Sequence, residues 1–386
     1  MTSARVPVVS IIVPARNEEA CLSHCLESLV SQAGIAFEII VVDDASTDRT
    51  GEIARSFAAR QESTVAVISA PPLPENWAGK NNAMAAGAKI AKGNWLLFTD
   101  ADTYHKRGSL AHAVAEAEGE GAALLSYSPE QEVKTFWEKA VMPVIFAELA
   151  ATYPPAEVRD PDSPIAAANG QYLLISRDAY DAVGGHAKIA SDLLEDVAMA
   201  GLVKSSGRKI WFRYGGDAVR TRMYSTWPQM KEGWTKNLAL LFSKPAGLAR
   251  KKLWEFLGVL LFLSILIRGA WKAYLGATNP SLRWNALSWG IVSCLVFAAF
   301  ILPHVIRLRR ANFGWNGVVL GFFGLPVFAY LLWKSDSAYK SGRFAWKGRS
   351  YLYSAEEVKN MTHGFHPTPQ RGTWQKLLAR IKKASG

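Results

Sequence analysis

The chain has 386 residues, 49% hydrophobic and 20% charged, with a formal net charge of +11. That balance excludes a disordered chain, and the length suggests two or three units. Residues 1–250 carry 25 Lys and Arg against 29 Asp and Glu, whereas residues 251–386 carry 19 against 4, so the basic excess follows the longest apolar runs. Such a pattern points to an anionic membrane face and away from nucleic acid.

Residues 1–7 lack the apolar core of a secretory signal, so the N-terminal region is expected to stay in the cytoplasm. Cys21, Cys25 and Cys294 are too few for a disulfide framework, which agrees with a reducing compartment. In chain order, the β-branched run 8–16 predicts a strand and 20–32 a helix of 3.6-residue period. A strand is expected over 37–46, a helix capped near Ser46 or Thr47 and running toward Arg60, then a strand over 64–69. A helix over 79–91 and a strand over 94–102 follow. Strands that are apolar throughout and alternate with helices make an α/β parallel sheet covered on both faces.

Ligands of such sheets bind beyond the carboxyl ends of the strands. Here those ends read "PARNEE", "DDAS", "APPLPENWAGK" and "DAD". Neither a G-x-G-x-x-G nor a Walker A cradle follows the first strand, so a phosphate ligand needs another source of positive charge. Asp100 and Asp102, one residue apart at the end of the fourth predicted strand, would point the same way and suit a divalent cation, Mg2+ or Mn2+, shared with substrate phosphates. An aspartyl-phosphate hydrolase motif is excluded, because Tyr104 stands where DxDxT needs its Thr.

Further along, residues 136–155 are apolar but too interrupted to span a bilayer, and suit either the bilayer surface or acceptor entrance or a helix over the sheet. Glu195 and Asp196 open an amphipathic helix within residues 191–207, where acids serve the helix dipole or supply a base. The preceding glycines of "AVGGH" favour the second use, since glycine permits close backbone approach to a ligand. Three apolar runs, 253–267, 285–306 and 315–333, are candidates to cross a hydrocarbon core of about 30 Å, the first only if it continues past Arg268 and Lys272. The basic stretches 307–310 and 340–351 both favour the cytoplasmic side, which three full spans would not allow. The third run, rich in Gly and interrupted by Pro326, is therefore expected to be re-entrant or interfacial.

Taken in order, "SIIVPARNEE", "VVDDASTD", "GKNNAMAAG", "LLFTDAD", "NGQYLLISRDAYDAVGGH" and "LLEDVAMA" resemble glycosyltransferase family 2 over residues 7–240. Within it the chain is most similar to carotenoid- and hopanoid-associated lipid glycosyltransferases. The resemblance implies a GT-A fold, Rossmann-like with a mostly parallel sheet. It places Pro14, Arg16 and Glu18 in a nucleotide pocket and has Asp44 accept a hydrogen bond from uracil. Asp100 and Asp102 become the DXD pair, Asp102 the direct metal ligand, with Lys80 near the diphosphate or simply solvated. Asp196 becomes the base, tuned by Glu195, in an inverting displacement. His186 would touch acceptor or phosphate, or be structural; Arg222 is a diphosphate candidate, and Trp234 would stack on a sugar or anchor at a membrane interface.

The QxxRW motif of polymer-making members is missing: four residues, not three, separate Gln229 from Trp234, and no Arg precedes Trp234. Transfer of a single sugar from a nucleotide-diphospho-sugar to a membrane lipid is the expected reaction. A scaffold that kept the fold and lost the chemistry is the alternative, opposed by the intact Asp100, Asp102 and Asp196. The expected layout is a cytoplasmic catalytic domain over 1–240, a membrane region over 241–335 and a basic cytoplasmic tail over 336–386, in a multi-pass protein of the cytoplasmic membrane.

Overall fold

In the computed structural model, which describes residues 7–61, 63–278, 283–346 and 349–352, the β-branched runs become buried strands. The strands up to residue 221 are β1 (Val9–Ala15), β2 (Phe37–Asp43), β3 (Val65–Ser69), β4 (Trp95–Phe98), β5 (Thr103–His105), β6 (Leu124–Ser128), β7 (Glu130–Gln131), β8 (Leu173–Ser176), β9 (Ile210–Tyr214) and β10 (Val219–Thr221). Seven of them form one sheet in the order β3-β2-β1-β4-β8-β6-β9. Every pairing in it is parallel except those of β8, which runs antiparallel to β4 and β6. The sheet is thus mixed and mostly parallel, the GT-A arrangement, with β5 and β10 pairing antiparallel beside it. Val9, Ile11, Ile12 and Val13 of β1 are fully buried, as expected of a strand covered on both faces.

Two local expectations are corrected. The helix after β2 starts at Thr50, not near Ser46 or Thr47. Those residues instead tie loops together: the Ser46 N–H donates to Asp43 Oδ1 (3.0 Å) and the Thr47 N–H to Asn17 Oδ1 (2.9 Å). The fourth strand ends at Phe98, so Asp100 and Asp102 lie in the turn between β4 and β5 and strand alternation does not set their directions.

The chain divides into two compact units, with residues 131–152 grouped with residues 223–352. The cut between Arg222 and Met223 precedes the expected residue 240, because the Trp227–Leu241 helix packs on the Trp315–Lys340 helix: Ser335 Oγ accepts the Ala239 N–H at 2.8 Å and donates to the Thr235 carbonyl at 2.7 Å. The Phe136–Thr152 helix packs there too. At Gly324 a Cβ would strike the Ala140 carbonyl, and at Gly317 and Gly321 it would press on Pro143 and Leu308.

Pro245–Lys272, Ile291–Arg310 and Trp315–Lys340 are long and apolar enough to cross a membrane. The first helix does continue past Arg268 and Lys272, to Thr278. The third is one unbroken helix of 26 residues through Pro326, so the expected re-entrant turn is not formed. Of the expected tail, residues 336–340 end that helix, Arg343–Trp346 and Arg349–Leu352 pair as a hairpin, and residues 353–386 lie outside the described residues.

Candidate active site

The loops at the carboxyl ends of β1 and β2 are welded together. Arg16 Nη1 donates to the carbonyls of Asp44 (2.6 Å) and Ala45 (3.2 Å), and the Asp44 N–H returns to the Ala15 carbonyl (2.8 Å). Asn17 and Ala45 both have φ of 53°, a left-handed conformation that is strained for alanine and that clusters where loops are shaped for ligands. Asp44 is buried, and Glu18 is fixed by its N–H to Thr50 Oγ1 at 2.7 Å. Pro14 lies on β1 opposite Val42. The structure therefore gathers Pro14, Arg16, Glu18 and Asp44 at one rim.

Lys80, in the first turn of the Gly79–Ile90 helix, joins the next two groups. Its Nζ is 2.7 Å from Asp100 Oδ1 and 2.6 Å from Glu195 Oε1. Burial opposes its charge, but the carboxylates of Asp100 and Glu195 outweigh burial and hold the ammonium well above an ordinary lysine. Lys80 is thus an ion-paired bridge and not a solvated first-turn residue.

Glu195 and Asp196 begin the Glu195–Ser205 helix. Asp196 accepts the Gly170 N–H at Oδ2 (2.8 Å) and the Val197 N–H at Oδ1 (2.8 Å). Burial, then the charge of Glu195, lifts its carboxyl to about 6, against the pull of Lys80 and the two N–H donors. Asp192, lifted to about 6 by burial and then by Glu195, is a third acid nearby. A carboxyl titrating near neutrality is suited to taking a proton.

Two positions that sequence reasoning passed over complete the cluster. A Cβ on Gly170 would stand 3.0 Å from Glu195 Oε1, 3.2 Å from Lys80 Nζ and 3.5 Å from Asp196 Oδ2, so only glycine lets the loop close on the charged groups without pushing them. Asn81 Nδ2 reaches the carbonyls of Ile189 (2.7 Å), Ala190 (3.1 Å) and Asp192 (2.9 Å), and so sets the loop that feeds the acid pair. Both stand inside stretches already singled out, "GKNN" and "NGQY"; the signal was a polar residue and a glycine flanking a candidate.

Asp100 and Asp102 offer only hard oxygen donors, from a single turn. Mg2+ and Mn2+ take one or two carboxylates and complete their shell with water and phosphate oxygens, so the pair fits such an ion. Among the described residues no group of three or more His, Cys, Asp or Glu forms a cage by itself. Thr221 Oγ1 of β10 donates to the Asp102 carbonyl at 3.1 Å, and β10 pairs Thr221 with Thr103. Arg222 follows directly, one residue beyond that ladder. On the same strand the Arg220 guanidinium covers the Tyr104 ring at 4.3 Å.

Two expected contacts are not formed. His186 is 3% exposed; its Nδ1 bonds the Tyr180 hydroxyl (2.9 Å) and its ring packs edge-on to Phe98, with burial holding the imidazole down at about 3. It is a neutral core residue. The glycine before it serves the same packing, since a Cβ on Gly185 would meet the Tyr180 ring at 2.7 Å and its φ of 56° is left-handed. Gly185 of "GGH" therefore makes room for a side chain and not for a ligand. Trp234 is 2% exposed, with Phe146 and Tyr224 edge-on at 6.1 and 5.9 Å, so it neither stacks on a sugar nor lies at an interface. Gln229 closes a capping box with Thr226.

With the geometry in place, residues 10–184 match the family model described as "Glycosyl transferase family 2". This stretch is a domain that resembles family 2 glycosyltransferases. Over 364 residues, the chain with this domain is 27% identical to the 4,4'-diaponeurosporenoate glycosyltransferase of Staphylococcus aureus strain MRSA252, covering 90% of this chain and 89% of that protein. The corresponding protein of strain USA300 is 28% identical over 362 residues, with the same coverage. Among solved structures, a mannosyltransferase from Pyrobaculum calidifontis in complex with GDP-Man and Mn2+ aligns at 18% identity and a TM-score of 0.47, covering 86% of each chain. Glucosyl-3-phosphoglycerate synthase from Mycobacterium tuberculosis, in complex with Mn2+ and UDP-glucose, aligns at 20% identity and a TM-score of 0.37, covering 58% of this chain and 74% of that one.

Proposed function

We propose that this chain is a membrane-anchored, inverting, non-processive family 2 glycosyltransferase that moves one sugar from a UDP-linked donor to a lipid acceptor. The observation that carries the reading is the Lys80 bridge, which brings the Asp100–Asp102 turn and the Glu195–Asp196 pair to one rim of the sheet. Asp102 and Asp100 would hold Mg2+ or Mn2+, which when bound would neutralise the departing diphosphate. Arg16, Glu18, Pro14 and Asp44 would receive the nucleoside, with Arg222 and Lys80 near the diphosphate. Asp196 would take the acceptor proton, held in orientation by the N–H groups of Gly170 and Val197. The apolar helices would tether the enzyme to the cytoplasmic membrane with its catalytic unit on the cytoplasmic side.

The relatives' name contains a carboxylate, 4,4'-diaponeurosporenoate, which supports a second acceptor class beside a lipid hydroxyl or phosphate. A carboxylate arrives already ionised and has no proton for Asp196 to remove. Lipid extracts from cells with and without the gene, compared by mass spectrometry, identify the product; no glycolipid that depends on the gene would overturn the reading. Asp196→Asn then separates the classes: transfer to a hydroxyl is lost, while transfer to a carboxylate persists. If Mn2+ supports nucleotide binding but no transfer to any lipid, the inactive scaffold is favoured.

A further inference from the structure

Beneath the Asp100–Asp102 turn lies a buried hydrogen-bonded group that none of the chemistry above uses. Thr99, Thr103 and His105 are 0%, 2% and 2% exposed. The two threonine Oγ1 atoms are 3.0 Å apart, and each is 3.0 Å from His105 Nε2. Each hydroxyl has a second contact that fixes its proton. Thr99 Oγ1 lies 2.8 Å from the Gln171 carbonyl, and Thr103 Oγ1 lies 2.8 Å from the Asp100 carbonyl.

A carbonyl only accepts, and a threonine has a single hydroxyl proton. With both threonine protons directed to Gln171 and Asp100, the 3.0 Å contact between the two hydroxyl oxygens carries none. The proton shared with His105 then comes from the ring: Nε2 carries it and donates to the two oxygens. Burial, which holds the imidazole at about 3, keeps the ring neutral and leaves Nδ1 without a proton. Donors then run in one direction, from Nε2–H through the threonine hydroxyls to the carbonyls.

The two ends of this chain meet both halves of the site. One reaches the Asp100 carbonyl, within the turn that presents Asp100 and Asp102. The other reaches the carbonyl of Gln171, the neighbour of Gly170, whose N–H holds Asp196. Gln171 Nε2 in turn donates to Thr221 Oγ1 (3.3 Å), which donates to the Asp102 carbonyl. We infer that His105 is a positioning residue that, as its Nε2–H tautomer, fixes the acidic turn through Thr99 and Thr103 in register with Gly170 and Asp196. The inference rests on the reading of Asp100 and Asp102 as the metal-holding pair.

Selective 15N-histidine labelling of the full-length protein in detergent, with the His105 signal identified by substitution, reads the tautomer directly. Nε2 protonated and Nδ1 bare, unchanged from mildly acidic to mildly alkaline pH, is expected; Nδ1 protonated or a charged ring overturns the proposal. Mn2+ binding in the presence of UDP, followed by electron paramagnetic resonance, gives a readout besides activity. His105→Phe keeps ring packing against Tyr172 but lacks the donor, and should weaken Mn2+ binding about tenfold, the effect expected of one lost buried donor. His105→Gln places an N–H near the Nε2 position and should restore most of it. Wild-type affinity in His105→Phe, or no rescue by His105→Gln, overturns the positioning role alone. Failure of the wild type to bind Mn2+ with UDP overturns the proposed function, and this inference with it.

Discussion

Lys80 Nζ stands 2.6 Å from Glu195 Oε1 while holding Asp100 at 2.7 Å, so one ammonium links a turn of the sheet to the helix that carries the acid pair. Replacing it by Met keeps the aliphatic stem and removes the charge. Lys80 pulls the carboxyl of Asp196 down, so its loss raises that carboxyl further. Lys80→Met should lower kcat/KM by about a hundredfold, in the range of an electrostatic stabiliser's removal, and move the acidic limb of the pH–rate profile to higher pH. An unmoved limb with normal activity would show the bridge to be incidental.

The carboxyl of Asp196, at about 6, sets a pH dependence of its own. With a hydroxyl acceptor, transfer should fall tenfold per pH unit below about 6 and level off above it. Stability runs the other way. The folded state holds this proton more tightly than an unfolded Asp at 3.8, so stability is present below that value and is lost as pH rises through about 6. Asp196→Asn should abolish hydroxyl transfer yet raise the thermal midpoint by a few degrees at pH 7.5, a gain that vanishes near pH 4. Calorimetry across that range decides it, and equal midpoints at pH 7.5 would contradict the strain assigned to the ionised acid.

Gly170→Ala tests how closely the loop must approach. The added methyl would press on Glu195 Oε1 at 3.0 Å and Lys80 Nζ at 3.2 Å, both ends of flexible side chains. The fold should tolerate it while kcat falls about tenfold or more, since displacing reacting groups by a fraction of an ångström is expensive in rate. Comparing kcat with the unfolding midpoint separates the two effects.

In the helical unit, Lys252 has 3% side-chain exposure and lies 2.6 Å from Glu148 and 3.2 Å from Glu255, while Arg307 reaches Glu255 at 2.9 Å. Lys252→Met leaves two carboxylates sharing one cation and should destabilise this unit by about 3 kcal/mol. Adding Glu148→Gln should recover part of that loss. Thermal unfolding in detergent reads both, and additive losses would exclude the pairing.

The strands β1 to β4 were legible because each is an apolar run long enough to stand out, and the rim was legible because its loops concentrate acids and asparagines. What was not legible depended on partners distant in sequence. Leu173–Ser176 is four apolar or small residues whose composition says nothing about direction, and it enters the sheet antiparallel. The sequence carries the strand through the acids because the apolar run leads straight into them; Thr99 still bonds the Ile12 carbonyl, and only the Thr103 hydroxyl, closing on Asp100, shows where the chain turns. Trp234 and His186 were open in the sequence for one reason. Amphipathic rings are used equally in cores and in sites, and only Tyr224, Phe146 and Tyr180, which surround them, settle the matter. Gly170 and Asn81 act through backbone atoms, which side-chain chemistry does not advertise.

The central claim is that the Asp100–Asp102 turn delivers a metal-bound sugar nucleotide to the acid on the neighbouring helix. Calorimetric titration of the full-length protein with UDP, with and without Mn2+, tests it most directly when wild type is compared with Asp102→Ala. The account predicts binding that strengthens with Mn2+ in the wild type and a loss of that Mn2+ dependence in the variant. Equal Mn2+-dependent affinity in both proteins would contradict it.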